Sequence, residues 1–288
     1  MILGAITTYN PDLKKLTKNI ESVIKQVDFL IISDNGSSNI QDIYNFCEKY
    51  KLILFDNKTN LGITGSLNKI LNYAIDNKYD WILTLDQDSV LENDIVNKYR
   101  KFIKNNVGII TSYYYDININ QDYFWPENVE FIKCDFCITS GSLNNTLALK
   151  KIGGFDSKLF IDYVDFDICQ TLRENNYEII KLCTYGFKHE VGKSKIKKIF
   201  GKNIILYNEN PKRLYYYFRN RRYFIKKHEM YINPFKEYLS MYSRAFLIIM
   251  FEKQKLSKLK SIVKGLADSR KMWLTYVKEY LKKNIFIL

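Results

Sequence analysis

Proline and long apolar runs are both scarce in this sequence, and their scarcity limits what the chain can be. Only 4 of the 288 residues are proline, which disfavours long interdomain linkers. The apolar fraction of 47% and the charged fraction of 26% are ordinary for a globular protein and exclude disorder on a large scale. A chain of this length suits one sizeable α/β domain with a helical appendage, or two small domains.

Signals for secretion, membrane insertion and disulfide bonding are also missing. The N-terminal segment has no basic region and no cleavage site, so we expect no secretory signal. The longest apolar run near the C-terminus, residues 245–251, is far shorter than the about 20 residues that a membrane helix needs. The five cysteines are an odd count, and the close pair Cys134 and Cys137 has no second pair at zinc-ribbon spacing. We therefore expect free thiols in a cytoplasmic protein.

Acidic residues are rare in the last third of the chain. Residues 185–288 hold 25 basic and 7 acidic side chains, a net charge of +18, whereas residues 1–184 hold 19 and 24, a net charge of −5. Such an asymmetry indicates different roles for the two parts. A basic segment can contact nucleic acid, anionic lipid headgroups or phosphorylated substrates.

Short apolar strands alternate with helical patterns through the first part of the chain. We predict strands at residues 2–8, 29–33, 51–55 and 80–85, with helices at 12–26, 40–50 and 64–77 between them. A further helix is predicted at 164–176, then a strand at 177–182. This alternation predicts an α/β fold with a mostly parallel sheet flanked by helices. Residues 211–228 and 234–284 are predicted to form basic helices rich in aromatic residues.

Polar residues follow each of the first four predicted strands. They occur at 7–10, 34–38, 60–62 and 86–88. Because ligands bind outside the carboxyl ends of strands in parallel sheets, these four loops predict one binding edge.

Asp86-Gln87-Asp88 is the loop whose chemistry is most specific. Two carboxylates at i and i+2 can both point at one hard cation and its phosphates. A divalent ion neutralises the charge that a departing diphosphate carries. A solvated turn or a helix cap is the alternative interpretation, since such triplets are frequent.

In the order and spacing of its motifs, the sequence resembles the family 2 glycosyltransferases, and among them bacterial rhamnosyltransferase-like members. The resemblance covers roughly residues 1–225. The matching segments are T-T-Y-N-P (7–11), I-I-S-D-N-G-S-S (31–38), N-L-G-I-T-G-S-L-N (60–68), W-I-L-T-L-D-Q-D-S (81–89), T-S-G-S-L (139–143), G-G-F-D-S-K-L-F-I-D-Y-V-D-F-D (153–167), H-E-V-G (189–192) and Y-Y-Y-F-R-N-R-R-Y (215–223).

The resemblance implies a GT-A (Rossmann-like) fold and a particular domain organisation. A catalytic domain would span residues 1–205, with a nucleotide-sugar half at 1–105 and an acceptor half at 106–205. Residues 206–288 would form a basic helical C-terminal region.

The resemblance also implies roles for individual residues on the donor side. The implied nucleotide-sugar contacts are Thr7, Tyr9, Asp34, Asn60, Gly62, Asp86 and Gln87, with Asp34 reaching the base. The implied ligands of a Mn²⁺ or Mg²⁺ ion are Asp88, His189 and Asp86. Many relatives have a second Asp where this chain has Asn35, so no role is assigned to that position.

On the acceptor side an inverting transfer needs one base to take the proton of the attacking hydroxyl. The family's base corresponds best to Asp165, with Asp162 as the alternative. Acceptor contacts are implied for Ser140, Gly141, Asp162 and Asp167, where the glycine permits close approach of the backbone to the sugars. Capping of the helix that begins near Asp165 is a competing role for these acids.

Two further basic features remain open at this point. Arg219 and Arg222 can bind phosphate oxygens, which suggests a contact with the donor diphosphate, or they lie on a solvated helix face. Residues 256–281 predict a basic amphipathic helix that lies on an anionic membrane or packs on the catalytic domain or a second subunit. Its predicted apolar face is Leu256, Leu259, Val263, Leu266, Trp273, Val277 and Tyr280, and Lys258 is among the lysines on the rest. The other histidine, His228, is predicted on a solvated face.

Three functions follow from these observations. The first is an inverting glycosyltransferase that moves L-rhamnose from dTDP-rhamnose to a lipid-linked saccharide in bacterial surface polysaccharide synthesis; a UDP-sugar such as galactofuranose is the next choice of donor. It would work in the cytoplasm or at the inner face of the cell membrane, without nucleic acid, as a monomer or as a homodimer through the C-terminal helices. A nucleotidyltransferase is disfavoured because the loop at 7–12 lacks a glycine-rich phosphate-binding segment. A membrane-surface binding protein without catalysis would leave the polar strand-end loops unexplained.

Overall fold

A computed structural model describes residues 1–117, 125–190, 195–199, 202–206 and 208–285. Its elements follow the chain in this order: β1 (Ile2–Thr8), α1 (Leu13–Val23), β2 (Phe29–Asp34), α2 (Ile40–Tyr50), β3 (Ile53–Asp56), α3 (Gly62–Asp76), β4 (Trp81–Asp86), β5 (Val90–Leu91), α4 (Ile95–Arg100), β6 (Val107–Asp116), β7 (Phe131–Lys133), β8 (Ser142–Asn145), α5 (Thr146–Ile152), α6 (Val164–Glu174), β9 (Glu178–His189), β10 (Lys195–Ile199), β11 (Lys202–Leu206), α7 (Pro211–Lys227), α8 (Pro234–Phe251) and α9 (Lys255–Ile285).

The described residues form two compact units. One contains residues 1–160 and the described part of 164–191; the other contains 161–163 and the described residues from 195 onward. The hairpin of β10 and β11 therefore groups with the helices α7, α8 and α9, whereas the sequence analysis assigned it to the catalytic domain.

A nine-stranded sheet forms the first unit in the described part of the chain. Its order is β3-β2-β1-β4-β8-β6-β9-β5, with β7 paired to β9. The pairs among β1, β2, β3 and β4 are parallel, as the alternating pattern predicted. β8 runs antiparallel to both β4 and β6, so the parallel part of the sheet ends at β4 and the rest is mixed.

Buried apolar residues hold helices against this sheet. Apolar side chains of β1 and β2 alternate between the two faces and are almost fully buried, which is typical of strands covered on both sides. α1 contributes Leu16, Ile20 and Val23 at helical spacing, and Asp12 caps its first turn by accepting from two backbone N–H groups.

Two of the helices in the helical unit begin with the same signal. Asn210-Pro211 starts α7 and Asn233-Pro234 starts α8, in each case with the asparagine side chain accepting a backbone N–H and proline in the first turn. Leu214, Phe218, Met241, Ala245, Ile248 and Ile262 form its main apolar cluster.

Three expectations about this unit were wrong. The helix predicted at 234–284 is interrupted, because α8 ends at Phe251 and Gln254 has a φ of 58°. Lys258, predicted among the lysines outside the apolar face of the helix at 256–281, is instead buried beside Glu252 with an Nζ–Oε2 distance of 2.5 Å. Leu256 and Val263 of that apolar face are 78% and 58% exposed, which leaves the choice between a membrane and a packing partner open. His228 is buried against the ring of Phe224 instead of facing solvent.

Candidate active site

Register between parallel strands brings the predicted donor-side residues to one edge of the sheet. Thr7 is the register partner of Asp86 across β1 and β4, and Thr8 is that of Asp34 across β1 and β2. Past the strand ends, the backbone N–H of Tyr9 donates to Gln87 Oε1 at 2.8 Å. Residues almost 80 positions apart in the chain therefore line the same edge.

The carboxylate of Asp34 organises the loop that follows β2. Oδ1 accepts the backbone N–H groups of Gly36 at 3.0 Å and Ser37 at 2.8 Å, and Oδ2 accepts the hydroxyls of Thr8 and Ser37. Asp34 is fully buried. The structure thus gives this acid a loop-ordering role, while its contact with a nucleotide base stays a prediction.

Asn35 connects that loop to the start of α3, a role that the sequence analysis left open. Its Nδ2 donates to the carbonyl of Gly62 at 3.3 Å, and its Oδ1 accepts the hydroxyl of Ser66 at 2.8 Å. Gly62 has a φ of 72°, and its own N–H donates to Asn60 Oδ1 at 2.9 Å. A Cβ at this glycine would lie 2.4 Å from the backbone oxygen of Phe160, so only glycine fits.

A chain of hydrogen bonds joins the acidic loop after β4 to two other parts of the sheet unit. The backbone N–H of Asp86 donates to Ser140 Oγ at 3.0 Å, and Ser140 Oγ lies 2.7 Å from Ser89 Oγ. Ser89 Oγ in turn lies 3.0 Å from His189 Nδ1. The network therefore holds β4, the segment before β8 and the end of β9 together.

His189 also approaches the second acid of the loop. Its Nδ1 lies 3.6 Å from Asp88 Oδ1. Next to the histidine, Glu190 forms an ion pair with Lys15, and this pair together with the nearby charge of Asp88 raises the pKa of the lysine. A cation from α1 is thus placed beside the acidic loop, which the sequence analysis did not foresee.

Asp165, the predicted base, lies in the first turn of α6 and is half-buried. Its Oδ1 accepts the backbone N–H of Thr139 at 3.0 Å, and Thr139 directly precedes Ser140 of the network. The pKa of Asp165 is raised to about 6, mainly by burial and also by the charge of Asp86, against the opposing effects of the hydrogen bonds from Thr139 and the proximity of His189. The two acidic centres predicted from the sequence therefore act on each other electrostatically.

Gly141 is required for a reason other than the one predicted. Its φ is 71°, and a Cβ there would lie 2.3 Å from the ring of Phe187. Its carbonyl accepts the hydroxyl of Tyr99 at 2.9 Å. The space beside this glycine is thus filled by protein, and approach of the backbone to a sugar stays a prediction.

Asp162, the alternative base, groups with the helical unit. Arg213 donates to its Oδ1 from Nε and Nη2, both at 3.2 Å. Burial raises the pKa of Asp162 to about 6 although Arg213 opposes the shift. Asp167 is buried in the first turn of α6, near the start of the helix that it was expected to support.

The arginines proposed for the diphosphate lie on α7. Arg222 Nη1 donates to the carbonyl of Leu266 at 2.8 Å, and Arg219 Nε donates to Asn220 Oδ1 at 2.8 Å while its guanidinium lies over the ring of Tyr216. Both side chains therefore contact residues of their own unit, and their binding to a diphosphate stays a prediction.

Ser89, Thr139 and Lys15 are site residues that sequence reasoning missed. Ser89 was inside a matched segment, directly after the acidic triplet, and its position was the available signal. Thr139 hydrogen-bonds Asp165 through its backbone N–H and its side chain, and Lys15 reaches the acidic loop from α1; both roles depend on the fold and were not visible in the sequence.

Of the three predicted metal ligands Asp86, Asp88 and His189, the structure shows a direct approach between two. Among the described residues no group of three or more His, Cys, Asp or Glu side chains is arranged to hold a metal. Asp88 and His189 do lie together, and a carboxylate with an imidazole is a donor set that Mn²⁺ accepts.

Solved structures identify the fold as GT-A. The structure of S. aureus TarS 1–349 in complex with UDP-GlcNAc has a TM-score of 0.59 and 14% identity, covering 93% of this chain and 80% of that one. The structure of GalNAc-T7 with UDP, GalNAc and Mn²⁺ has a TM-score of 0.57 and 11% identity, covering 78% and 47%.

Sequence comparison identifies the family to which the chain belongs. Residues 5–164 match the model of Glycosyl transferase family 2, so the chain belongs to this family of glycosyltransferases. It is also 28% identical over 286 residues to dTDP-rhamnosyl transferase RfbF of Shigella flexneri, covering 93% of this chain and 94% of that protein.

Proposed function

We propose that the protein transfers a sugar from a nucleoside diphosphate donor to a saccharide acceptor with inversion at the anomeric carbon. The observation that carries this proposal is the placement of Asp165 beside the network that starts at Asp86 and ends at His189. The acidic loop after β4 is available to hold a cation for the departing diphosphate, and the separate carboxylate of Asp165 is available to accept the proton of the incoming hydroxyl.

The environment of Asp165 suits a general base. With a pKa raised to about 6 by burial, the carboxylate is ionised at neutral pH and still binds a proton more tightly than an exposed aspartate does. In the proposed step it takes the proton of the acceptor hydroxyl while that oxygen bonds to the anomeric carbon. The bond from the anomeric carbon to the diphosphate oxygen breaks on the opposite face.

The proposed donor is dTDP-L-rhamnose. The support is the similarity to dTDP-rhamnosyl transferase RfbF along almost the whole length of both chains. A UDP-sugar such as galactofuranose is the alternative, since the solved structures with the same fold include complexes with UDP-GlcNAc and with UDP.

We further propose that Mn²⁺ or Mg²⁺ binds to Asp88 and His189, with Asp86 nearby. The two side chains supply part of a coordination shell, and an ion held there would take further ligands from diphosphate and water. Bound in this way, the ion would neutralise charge on the leaving nucleotide. The hydroxyl of Ser89, 3.0 Å from Nδ1 of His189, would hold the imidazole ring in position for this role.

The acceptor in this proposal is a lipid-linked saccharide of a bacterial surface polysaccharide, used at the inner face of the cell membrane. The support is the net charge of +18 in residues 185–288, which suits an anionic surface. Among the residues that the structure describes, no helix is long and apolar enough to cross a bilayer.

A screen of nucleotide sugars tests the proposed reaction. The purified full-length chain is mixed with dTDP-L-rhamnose, UDP-galactofuranose or UDP-GlcNAc, each with Mn²⁺, with Mg²⁺ and with chelator. We expect one donor to raise the melting temperature, because a ligand that binds only the folded state stabilises it. The same donor should release nucleoside diphosphate, and NMR of the product should show an inverted anomeric centre.

Two outcomes would contradict the proposal. If no nucleotide sugar stabilises the protein or is consumed, the donor assignment fails. If pyrophosphate is released from a nucleoside triphosphate instead, the protein is a nucleotidyltransferase.

A further inference from the structure

The outward face of α8 is apolar along almost its whole length. Phe235, Leu239, Tyr242, Phe246 and Met250 are 76%, 58%, 51%, 61% and 49% exposed. Their spacings of four, three, four and four residues put all five side chains on one side of the helix, in a row about 22 Å long. We refer to these five residues as the α8 row.

This row is not the side by which α8 joins its own unit. Met241, Ala245 and Ile248 of the same helix are buried in the cluster with Leu214, Phe218 and Ile262. A helix that packs by one side ordinarily presents charged and polar residues on the other. An exposed apolar row of this length marks a contact surface.

The exposed charges of α8, of the turn after it and of α9 are almost all positive. The exposed cations between residues 234 and 282 are Lys236, Lys253, Lys255, Lys260, Lys264, Arg270, Lys271, Lys278 and Lys282, and the one exposed acid in that range is Glu279. Lys236 follows the first residue of the row, and Lys255 Nζ donates to the carbonyl of Met250 at its last residue. The row is therefore bordered by lysines at both ends.

Acids of α8 and of the turn after it do not offset this charge. Glu237 accepts from Arg221 at 2.8 Å, and Glu252 is buried beside Lys258. Both carboxylates are neutralised inside the unit. The outer surface of α8 and α9 consequently combines exposed apolar side chains with an excess of positive charge.

This combination distinguishes between two occupants. A second copy of the chain bound through the same surface would place lysines against lysines, and like charges across an interface oppose association. An anionic lipid surface would accept the apolar side chains at the boundary between headgroups and acyl chains while its phosphates face the lysines. The charge complementarity favours the lipid surface.

We propose that the α8 row is the surface by which this protein binds an anionic membrane, lying on the bilayer without crossing it. The inference gives the proposed membrane location a definite surface, and it is independent of the sugar-transfer chemistry. The inference assigns the contact to α8, whereas the sequence analysis considered a membrane contact for residues 256–281.

Vesicle sedimentation tests the proposal with the full-length protein. Phosphatidylcholine vesicles containing phosphatidylglycerol should bind the protein, and vesicles of phosphatidylcholine alone should bind it about tenfold or more weakly, because each lysine near an anionic surface adds to the affinity. High salt should release it.

Matched variants locate the surface. Leu239→Ser/Phe246→Ser should weaken binding to anionic vesicles at least about tenfold, since two inserted side chains are removed. The control is Leu147→Ser/Ile103→Ser, two exposed apolar residues of the sheet unit, which should bind like the parent. Lys236→Glu/Lys255→Glu should also weaken binding, and its control Lys101→Glu/Lys104→Glu should not.

Three results would overturn the inference. They are equal binding to both kinds of vesicle, unchanged binding by the two α8-row variants, and a concentration-dependent dimer that Leu239→Ser/Phe246→Ser abolishes in ultracentrifugation. Nucleotide binding measured by calorimetry without vesicles is expected to be unchanged in every variant. A failure of the membrane inference and a failure of the proposed reaction are thus separable.

Discussion

Replacing Asp165 with Asn should abolish sugar transfer and at the same time stabilise the protein. Desolvation makes an ionised carboxylate costly, and the charge of Asp86 lies near this one as well. The asparagine keeps an oxygen that can accept the N–H of Thr139 and has no charge. The same change therefore removes the proposed base and a source of instability.

The size of the stabilisation follows from the pKa. Folding raises the pKa of Asp165 from 3.8 to about 6. Each unit of difference corresponds to about 1.4 kcal/mol, so the ionised carboxylate destabilises the folded state by about 3 kcal/mol at pH 7. About 2–4 °C in melting temperature per kcal/mol then gives an upper limit of roughly 10 °C for the variant. The amide NH₂ group also needs a partner, so the measured gain should lie below that limit.

The pH dependence of this effect has a definite sign. Because the folded-state pKa is the higher one, the folded state binds the proton more tightly than the unfolded state. The destabilisation is absent below pH 3.8, grows as pH rises to about 6, and is constant above. The advantage of Asp165→Asn should therefore be present at pH 7 and vanish near pH 4.

Thermal unfolding from pH 4 to 8 measures the stability, and nucleotide release measures the activity. Activity of the parent should fall as pH drops through about 6, and Asp165→Asn should lose about 100-fold or more, as expected for loss of a general base. Asp56→Asn is a control of opposite sign, because the hydrogen bond from Lys58 lowers the pKa of Asp56. A variant that is active, or that is less stable than the parent at every pH, would refute the assignment of Asp165.

Three further changes test the site and the helical unit. Ser89→Ala removes the hydrogen bond to His189 and should weaken the apparent Mn²⁺ affinity in the transfer assay about 10–100-fold, with little change at saturating metal; an unchanged affinity would exclude a metal role for the histidine. Gly62→Ala should lower the free energy of unfolding, measured with urea, by about 1–3 kcal/mol because the alanine must adopt a positive φ. The loss should exceed this range if the backbone does not shift, since the methyl group would lie 2.4 Å from a backbone oxygen. Lys258→Met leaves buried Glu252 unpaired and should cost about 3–5 kcal/mol, whereas Lys258→Met/Glu252→Gln should recover most of that loss; equal stability of the two variants would refute the buried pair.

The strands and helices up to β4 were predictable because their signals are local. Each strand from β1 to β4 is a short apolar run that ends at polar residues, and the helices between them have apolar residues at helical spacing. Their parallel order follows from the connectivity. The antiparallel insertion of β8 between β4 and β6 was not predictable, since strand pairing over some 60 residues depends on tertiary packing.

The candidate site likewise has features that were predictable from the sequence and features that were not. Asp86, Asp88, Asp165 and His189 were chosen from motifs, because the residue types that chemistry needs are visible in a sequence. The raised pKa of Asp165 was not visible, since it depends on burial and on the neighbouring charge of Asp86. Nor was the link through Ser140, which joins parts of the chain that only the fold brings together.

The C-terminal helices show most plainly what sequence periodicity can and cannot establish. The sequence established that these segments are helical, basic and apolar enough to pack, because composition and spacing act along one chain. It could not establish which apolar side finds a partner, since that depends on the neighbouring helices. Packing among α7, α8 and α9 buries Ile262 and Lys258, whereas Leu256 and Phe246 remain exposed.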